Sequence, residues 1–164
     1  MLIRHVVEKD WPFVHAIEVA NFSPEEAASA EVILARTQVN PDTFLVAVLE
    51  DQIAGYVEGP VVAEAKLEDH LFHGSQKNPE SGGYIAITSL SISPKFQKQG
   101  IGTALLAAMK DLAVAQNRQG IILTCHDYLI SYYELNGFKN LGLSDSNHGG
   151  SIWYDMLWQP KDRH

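Results

Sequence analysis

Apolar positions along this chain follow two periods. Tyr84, Ala86, Thr88, Leu90 and Ile92 fall at every second position and share one face, the pattern of a half-buried strand. Ser89, Ser91 and Ser93 alternate with Leu90 and Ile92, and Pro94 ends the run because it has no N–H to give a ladder. The period then changes. Ala104, Leu105, Leu106 and Ala108 follow the turn Gln97-Lys98-Gln99-Gly100-Ile101-Gly102 and predict a helix over Gly100–Asn117. Gly120–Cys125 is a continuous apolar run of the length of a buried strand.

The remaining segments follow the same logic. Leu2–Val7 reads as a first strand. Asp10 caps a helix that has Pro12 in its first turn and Phe13, Val14 and Ile17 on its apolar stripe. Ser23-Pro24-Glu25-Glu26 has the form of a capping box and predicts a helix over Ala27–Thr37. Phe44–Leu49 and Ile53–Val62 form a hairpin around Glu50-Asp51-Gln52. Leu129–Asn136 is a short helix stopped by Gly137, and Phe138–Leu143 with Ile152–Leu157 is a closing hairpin. The fold class is α/β (α+β in some schemes): a mixed, mostly antiparallel sheet of about seven strands with helices on both faces. Its parallel pair is Tyr84–Ile92 with Gly120–Cys125, joined by a right-handed helical crossover. Residues 1–160 read as a single domain and 161–164 as a polar tail.

Composition narrows the function. At 164 residues and 46% hydrophobic, the chain can bury a sizeable core. Twenty acids against twelve bases give a net charge of −8, which disfavours nucleic acid and anionic membranes as partners. One cysteine excludes an internal disulfide framework and suits a reducing cytoplasm. No apolar run is long enough to span a bilayer, and the early charges of MLIRHVVEKD argue against a secretory signal. Glu68, Asp69, His70 and His73 cluster without a recognised metal-ligand spacing and read as surface loop, so no metal is expected.

A glycine-containing turn opening a helix directs free backbone N–H groups and the positive end of the helix dipole at one point, a seat for phosphate or pyrophosphate. The Walker lysine is absent, and Leu105 stands where a dinucleotide fingerprint has its third glycine. Glu58, in mid-strand on the face shared with Ala54 and Tyr56, is either a base or cation clamp or a carboxylate on a solvated face. Cys125 reads as a small hydrophobe. His126 reads as a base or as a capping or surface residue.

Gln97-x-x-Gly100-x-Gly102, after a strand and before an Ala/Leu-rich helix, resembles the acyl-CoA signature of the GNAT superfamily of N-acetyltransferases. Tyr133-Glu134-Leu135-Asn136-Gly137-Phe138 resembles the Tyr-x-x-x-Gly-Phe segment that follows it. Within the superfamily the chain is similar to the arylalkylamine (serotonin) N-acetyltransferase branch, through Cys125-x-Asp127, Phe22–Glu26, Phe44–Gly59 and Gly150–Met156.

The resemblance implies an acetyl-CoA-dependent N-acetyltransferase that moves the acetyl group directly to the primary amine of a small molecule. It implies a splayed parallel pair with a bulge near Leu90–Ile92, where the backbone of Leu90, Ser91 and Ile92 holds pantetheine. Gln97, Lys98, Gln99, Gly100, Ile101, Gly102 and Thr103 then take the pyrophosphate, with Lys98 adding positive charge or pointing to solvent. Tyr133 stands at the general acid's position. The first helix pair lines the acceptor cleft, with Phe22 as its wall or as a staple of the helix start. The branch's two strand histidines are replaced by Ala86 and Thr88, which leaves the base among Glu58, His126, and solvent reached through Thr88 and Tyr84. The catalytic set expected is Tyr133, Glu58 and Thr88. Polyamine, aminoglycoside and protein N-terminal acetylation, and a non-catalytic acyl-CoA sensor, are the alternatives. A monomer or homodimer is expected.

Overall fold

A computed structural model describes residues 1–66, 76–146 and 150–161. The cluster of Glu68, Asp69, His70 and His73 lies outside the described residues. The described residues form nine strands and four helices: β1 (Leu2–His5), α1 (Trp11–Asn21), α2 (Ala30–Val39), β2 (Phe44–Leu49), β3 (Gln52–Glu58), β4 (Val61–Val62), β5 (Tyr84–Ile87), β6 (Ser89–Ile92), α3 (Ile101–Ala115), β7 (Gly120–Cys125), α4 (Ile130–Leu135), β8 (Lys139–Leu143) and β9 (Tyr154–Trp158). They form two sheets rather than the expected single sheet of seven. One has the order β1-β2-β3-β6 and the other β4-β5-β7-β9-β8. The β5–β7 pair is parallel, as expected, and the rest are antiparallel.

The chain crosses between the sheets twice, and both crossings correct the sequence reading. The run Ile53–Val62 is cut by Gly59-Pro60 into β3 and β4, which belong to different sheets. The run Tyr84–Ile92 is cut at Thr88. Ser89 pairs in register with Glu58, while the Thr88 N–H also donates to the Glu58 carbonyl at 2.9 Å. Two residues facing one is a β-bulge, and it sits at Thr88–Ser89 rather than at Leu90–Ile92. The extra residue reverses the alternation. Ile85 and Ile87 pack in the main core, and so do Leu90 and Ile92, whereas Tyr84 and Ala86 pack with Ile122 on the opposite face.

Helix α3 holds the two sheets together. Its Ile101, Leu105, Leu106, Met109 and Ala113 pack against Leu45, Ala47, Ala54 and Val57 of one sheet and Ile85, Ile87, Ile121 and Leu123 of the other. The opposite face of β2 and β3, with Phe44, Val46 and Tyr56, is covered by Val14 and Ile17 of α1 and Ile33 of α2. Burial on both faces explains why Phe44–Leu49 reads as continuous apolar sequence. The β2–β3 turn places Glu50 and Asp51 at φ 54° and 58°, matching the twist of a two-residue hairpin.

Two helix starts differ from their sequence signals. Asp10 stands before α1 behind Pro12, but its carboxylate accepts from the Val7 N–H at 2.9 Å and from Arg4 at 2.8 and 3.1 Å instead of capping α1. Ser23 opens one turn, with Glu26 and Ala27 donating to its carbonyl. The helix does not propagate, because the Ala28 N–H donates to the Glu18 carboxylate and Glu26 turns to His126 and Ser151. Helix α2 starts at Ala30, capped by Ser29, whose hydroxyl accepts from the Val32 N–H. Among the described residues no helix is long and apolar enough to cross a membrane.

Gly59 permits the first crossing. A Cβ built there would lie 1.8 Å from the Ala86 carbonyl oxygen, a clash with backbone that a rotamer change cannot relieve. Gly59→Ala is expected to cost about 3 kcal/mol or more, read as a lower urea midpoint at unchanged slope. A variant as stable as the parent would show that the crossing widens freely.

Candidate active site

The bulge at Thr88 is fixed by a buried carboxylate. Glu58, 3% exposed, accepts hydrogen bonds at Oε1 from Arg36 Nη1 and from Thr88 Oγ1, each at 2.6 Å. Glu58 therefore does not lie on a solvated face. Burial pushes its carboxyl up, against the opposing pull of Arg36 and the Thr88 hydroxyl. Thr88 spends its one hydroxyl proton on Glu58, so its oxygen offers lone pairs to the space in front.

That space is a cavity of about 150 Å³, open toward solvent. Thr88, Arg36, Ile87, Leu123 and Cys125 line its floor, with Glu58 behind Thr88. Tyr133 enters from α4. Its ring packs edge-on against Tyr132 and Phe138, and burial, reinforced by Cys125 and Tyr132, raises its phenol far above the usual value. Among the described residues no hydrogen bond claims its hydroxyl. Gly137, at φ 86°, ends α4 as the sequence indicates, and the Phe138 N–H closes back on the Tyr133 carbonyl at 3.0 Å. The Cys125 thiol is pushed up to about 11 by burial, which leaves it an inert wall rather than a nucleophile.

The outer wall comes from residues with weaker signals. Glu18 of α1, 2% exposed, lines the cavity. Its carboxylate accepts from the Tyr56 hydroxyl, from Ser89 Oγ at 2.8 Å and from the Ala28 N–H at 2.8 Å. Phe22 lines the cavity beside it. His126 stacks on Trp153 at 4.3 Å and on Tyr128 at 5.4 Å, and its Nε2 lies 3.2 Å from Glu26 Oε1. Glu26 Oε1 also accepts from Ser151 Oγ at 3.1 Å. Tyr84 and Ala86 face away, on the far side of the sheet.

Beside the cavity the sheets part. Strand β6 ends one sheet, while β7 pairs with β5 and β9 in the other. The Ser93 N–H donates to Ala54 of β3, so by antiparallel alternation Ser91 also turns its amide groups to β3, and Leu90 and Ile92 turn theirs away. The Ile92 carbonyl accordingly meets Asn21 at 2.6 Å and Gln97 at 3.2 Å. Ser91 is occupied on both sides, its hydroxyl accepting from Asn21 at 2.6 Å. Leu90 and Ile92 thus turn their backbone off the edge of the sheet and Ser91 does not.

The glycine turn follows. Gly100, at φ 79°, precedes α3 with no side-chain cap and nothing within 4 Å of where a Cβ would be. The N–H groups of Ile101, Gly102 and Thr103 have no acceptor among the described residues, and Ala104 closes the first helical bond to Gly100 at 3.1 Å. Lys98 and Gln99 are exposed beside them, whereas the Ile101 side chain is in the core. Gln97 spends its side-chain amide on Asn21 and Ile92. The Tyr132 hydroxyl lies 3.3 Å from Thr103 Oγ1, and a Cβ on Gly102 would come within 2.8 Å of it. Uncapped N–H donors in open space fit a pyrophosphate, and the outward backbone of β6, where Asn21 and Gln97 take only the Ile92 carbonyl, fits the amides of pantetheine.

A cavity backed by a buried carboxylate and flanked by a phenol, beside a parted sheet and an uncapped helix start, is an arrangement suited to acyl transfer on an α/β fold. The sequence model of the Acetyltransferase (GNAT) family matches residues 8–138, and the chain belongs to that family, whose acyl donor is acetyl-CoA. Among curated proteins no sequence matches the chain. Solved structures share the fold at low identity. Ard1 from Thermoplasma volcanium superposes with a TM-score of 0.73 at 22% identity over 98% of both chains. GphF, a GNAT-like decarboxylase in complex with isobutyryl-CoA, gives 0.78 at 16% over 97% of this chain and 99% of its own. The ribosomal-protein-alanine N-acetyltransferase from Brucella melitensis gives 0.70 at 20% over 98% of this chain and 100% of its own.

Sequence reasoning missed Glu18, Asn21, Glu26, Arg36 and Trp153. For two of them a signal exists. Glu18 falls four residues after Val14 and Arg36 three after Ile33, so each charge stands on a stripe that must face the core. Removing one member of a buried ion pair costs about 3–5 kcal/mol, while replacing both with apolar groups of similar volume restores much of it. Arg36→Ala is therefore expected to fall in that range in urea unfolding, and Arg36→Met combined with Glu58→Leu to recover most of the loss. A single-variant cost below about 1 kcal/mol would place the pair among weak surface bridges.

Proposed function

We propose that the protein acetylates the primary amine of a small molecule by direct transfer from acetyl-CoA, without a covalent enzyme intermediate. The observation that carries this reading is Thr88. It lines a cavity of about 150 Å³ while its hydroxyl proton is committed to Glu58. Drug-sized ligand pockets are typically larger, about 300–1,000 Å³, so the volume supports a small acceptor or the amine end of a longer one.

An alkylamine is mostly protonated near neutral pH, with a pKa of about 10, and must lose a proton before it attacks. Thr88 accepts that proton, directly or through one water, as it passes its own to Glu58 Oε1. Burial readies Glu58 to receive it by raising its carboxyl. The amine nitrogen then bonds to the thioester carbonyl carbon, and the backbone N–H of Leu90, which lines the cavity, polarises the carbonyl oxygen. As the carbon–sulfur bond breaks, Tyr133 gives its phenolic proton to the leaving sulfur and regains one from the acetylated nitrogen. Glu58 returns its proton to solvent. The products are the amide, free CoA thiol and one proton. Gly100, Ile101, Gly102 and Thr103 hold the pyrophosphate by backbone N–H, with Lys98 and Gln99 at its edge and Gln97 bracing the turn. The aromatic wall of Phe22 and Trp153 is consistent with the resemblance to arylalkylamine acetyltransferases.

Tyr133→Phe is expected to lower kcat by about a hundredfold or more with the KM for acetyl-CoA nearly unchanged; full turnover with chemistry rate-limiting would remove Tyr133 from the acid role. The phenol's raised pKa keeps it protonated through the assay range, so Tyr133 contributes no alkaline limb. Glu58 must be ionised to accept a proton, so kcat/KM falls as pH drops through its raised pKa. Glu58→Gln is expected to abolish both that limb and most of the rate. An unchanged acid limb in Glu58→Gln would assign it to another group.

A further inference from the structure

From the outer wall of the cavity we infer that Glu18 seats a second ammonium of the acceptor, one that stays charged during the reaction, and that the acceptor is a short aliphatic diamine. The inference rests on reading the cavity as the acceptor's place. Glu18 is 2% exposed and lines the cavity, and all three groups that hold its carboxylate are neutral: the Tyr56 hydroxyl, the Ser89 hydroxyl and the Ala28 N–H. No cation reaches it among the described residues. Arg36, a lining cation, is matched by Glu58 at 2.6 Å. A buried carboxylate that faces a ligand space with only neutral partners calls for a cation from the ligand.

The reacting amine does not supply that cation, because it must be neutral when it attacks. A monoamine would leave Glu18 without a counter-charge at the moment of reaction, whereas a diamine keeps one ammonium on Glu18 throughout. The spacing agrees. Thr88 receives the reacting amine and Ser89, the next residue, holds Glu18. Both seats therefore open on one cavity of about 150 Å³, which holds a short diamine rather than a long one. Phe22 and Trp153 also line the cavity, and aromatic rings attract a desolvated ammonium.

The test compares kcat/KM for 1,4-diaminobutane, pentylamine and phenethylamine in the wild-type protein, Glu18→Gln and Glu26→Gln, with melting temperatures measured with CoA alone and with CoA plus each amine. The wild type is expected to prefer 1,4-diaminobutane over pentylamine by tenfold or more, and Glu18→Gln to bring that ratio near one. The diamine is expected to raise the melting temperature of the wild-type CoA complex but not that of the Glu18→Gln complex. Equal or better use of either monoamine by the wild type overturns the inference while leaving the transferase reading intact. A ratio lost only in Glu26→Gln overturns the assignment to Glu18. Diamine-dependent stabilisation that requires Glu18, without turnover of any amine, upholds the seat and defeats the transferase reading. Neither turnover nor stabilisation by the diamine overturns the seat.

Discussion

The architecture depends on one oxygen atom. Glu58 Oε1 takes a hydrogen bond from Arg36 and another from Thr88, both at 2.6 Å. Burying two charges is costly, and the cost is offset only where geometry is good and the remaining polar groups are satisfied. Arg36 arrives from α2, Glu58 from the end of β3 and Thr88 from the gap between β5 and β6. The contact thus ties a helix and both sheets to the point where one strand breaks into two. The Glu58 carbonyl adds a third tie by accepting from the Thr88 N–H. Were that segment an unbroken strand, one continuous sheet would fill the space in which β6 and β7 now part.

Everything at the site follows from the parting. The bulge reverses the alternation, so Thr88 faces the cavity while Leu90 and Ile92 side chains return to the core. Their amide groups are then directed off the sheet edge, where an extended ligand can add as a strand. Helix α3 packs on both sheets, so its uncapped N-terminus is held at the end of the same gap. Lys110 fixes the other side of the cleft: its ammonium donates to the Asn136 carbonyl and lies over the rings of Phe138 and Trp158, anchoring the turn that ends α4. Tyr133 therefore owes its position to packing from three directions and needs no hydrogen bond to its hydroxyl.

Much of this was legible in the chain, for physical reasons that differ by element. The α3 start was legible because a tight turn into a helix needs glycine at fixed places: Gly100 takes a left-handed φ, and Gly102 leaves room for the Tyr132 hydroxyl. Strand β7 and helix α4 were legible because local burial and a positive-φ glycine decide them. The double-sheet topology was not. The break at Thr88 is imposed by Glu58, thirty positions earlier, and period-two patterning cannot register a single inserted residue. The Ser23 capping box was misleading because its local hydrogen bonds lost to tertiary ones. Glu18 captures the Ala28 N–H and Glu26 reaches the β7–α4 connection, so the helix restarts at Ser29. Glu58 was visible as an odd charge in a strand, but its burial depends on Arg36, which sits in a helix whose sequence looks polar.

Charge is zoned along the cleft. At the donor end are helix N–H groups with no acceptor among the described residues, and the exposed Lys98. At the acceptor end are the carboxylates of Glu18 and Glu26 on the lining. A polyanionic donor is drawn to the first and repelled from the second, while a cationic amine experiences the reverse. The overall charge of −8 makes this zoning more consequential, because the helix start must attract phosphate against an opposing net field. That favours donors fixed in place, since backbone N–H groups at a helix terminus cost no side-chain ordering when they bind. A long Lys or Arg cluster is then not required at the turn for an anion to bind: a fixed set of short-range dipoles acts inside the distance at which salt screens the rest of the protein.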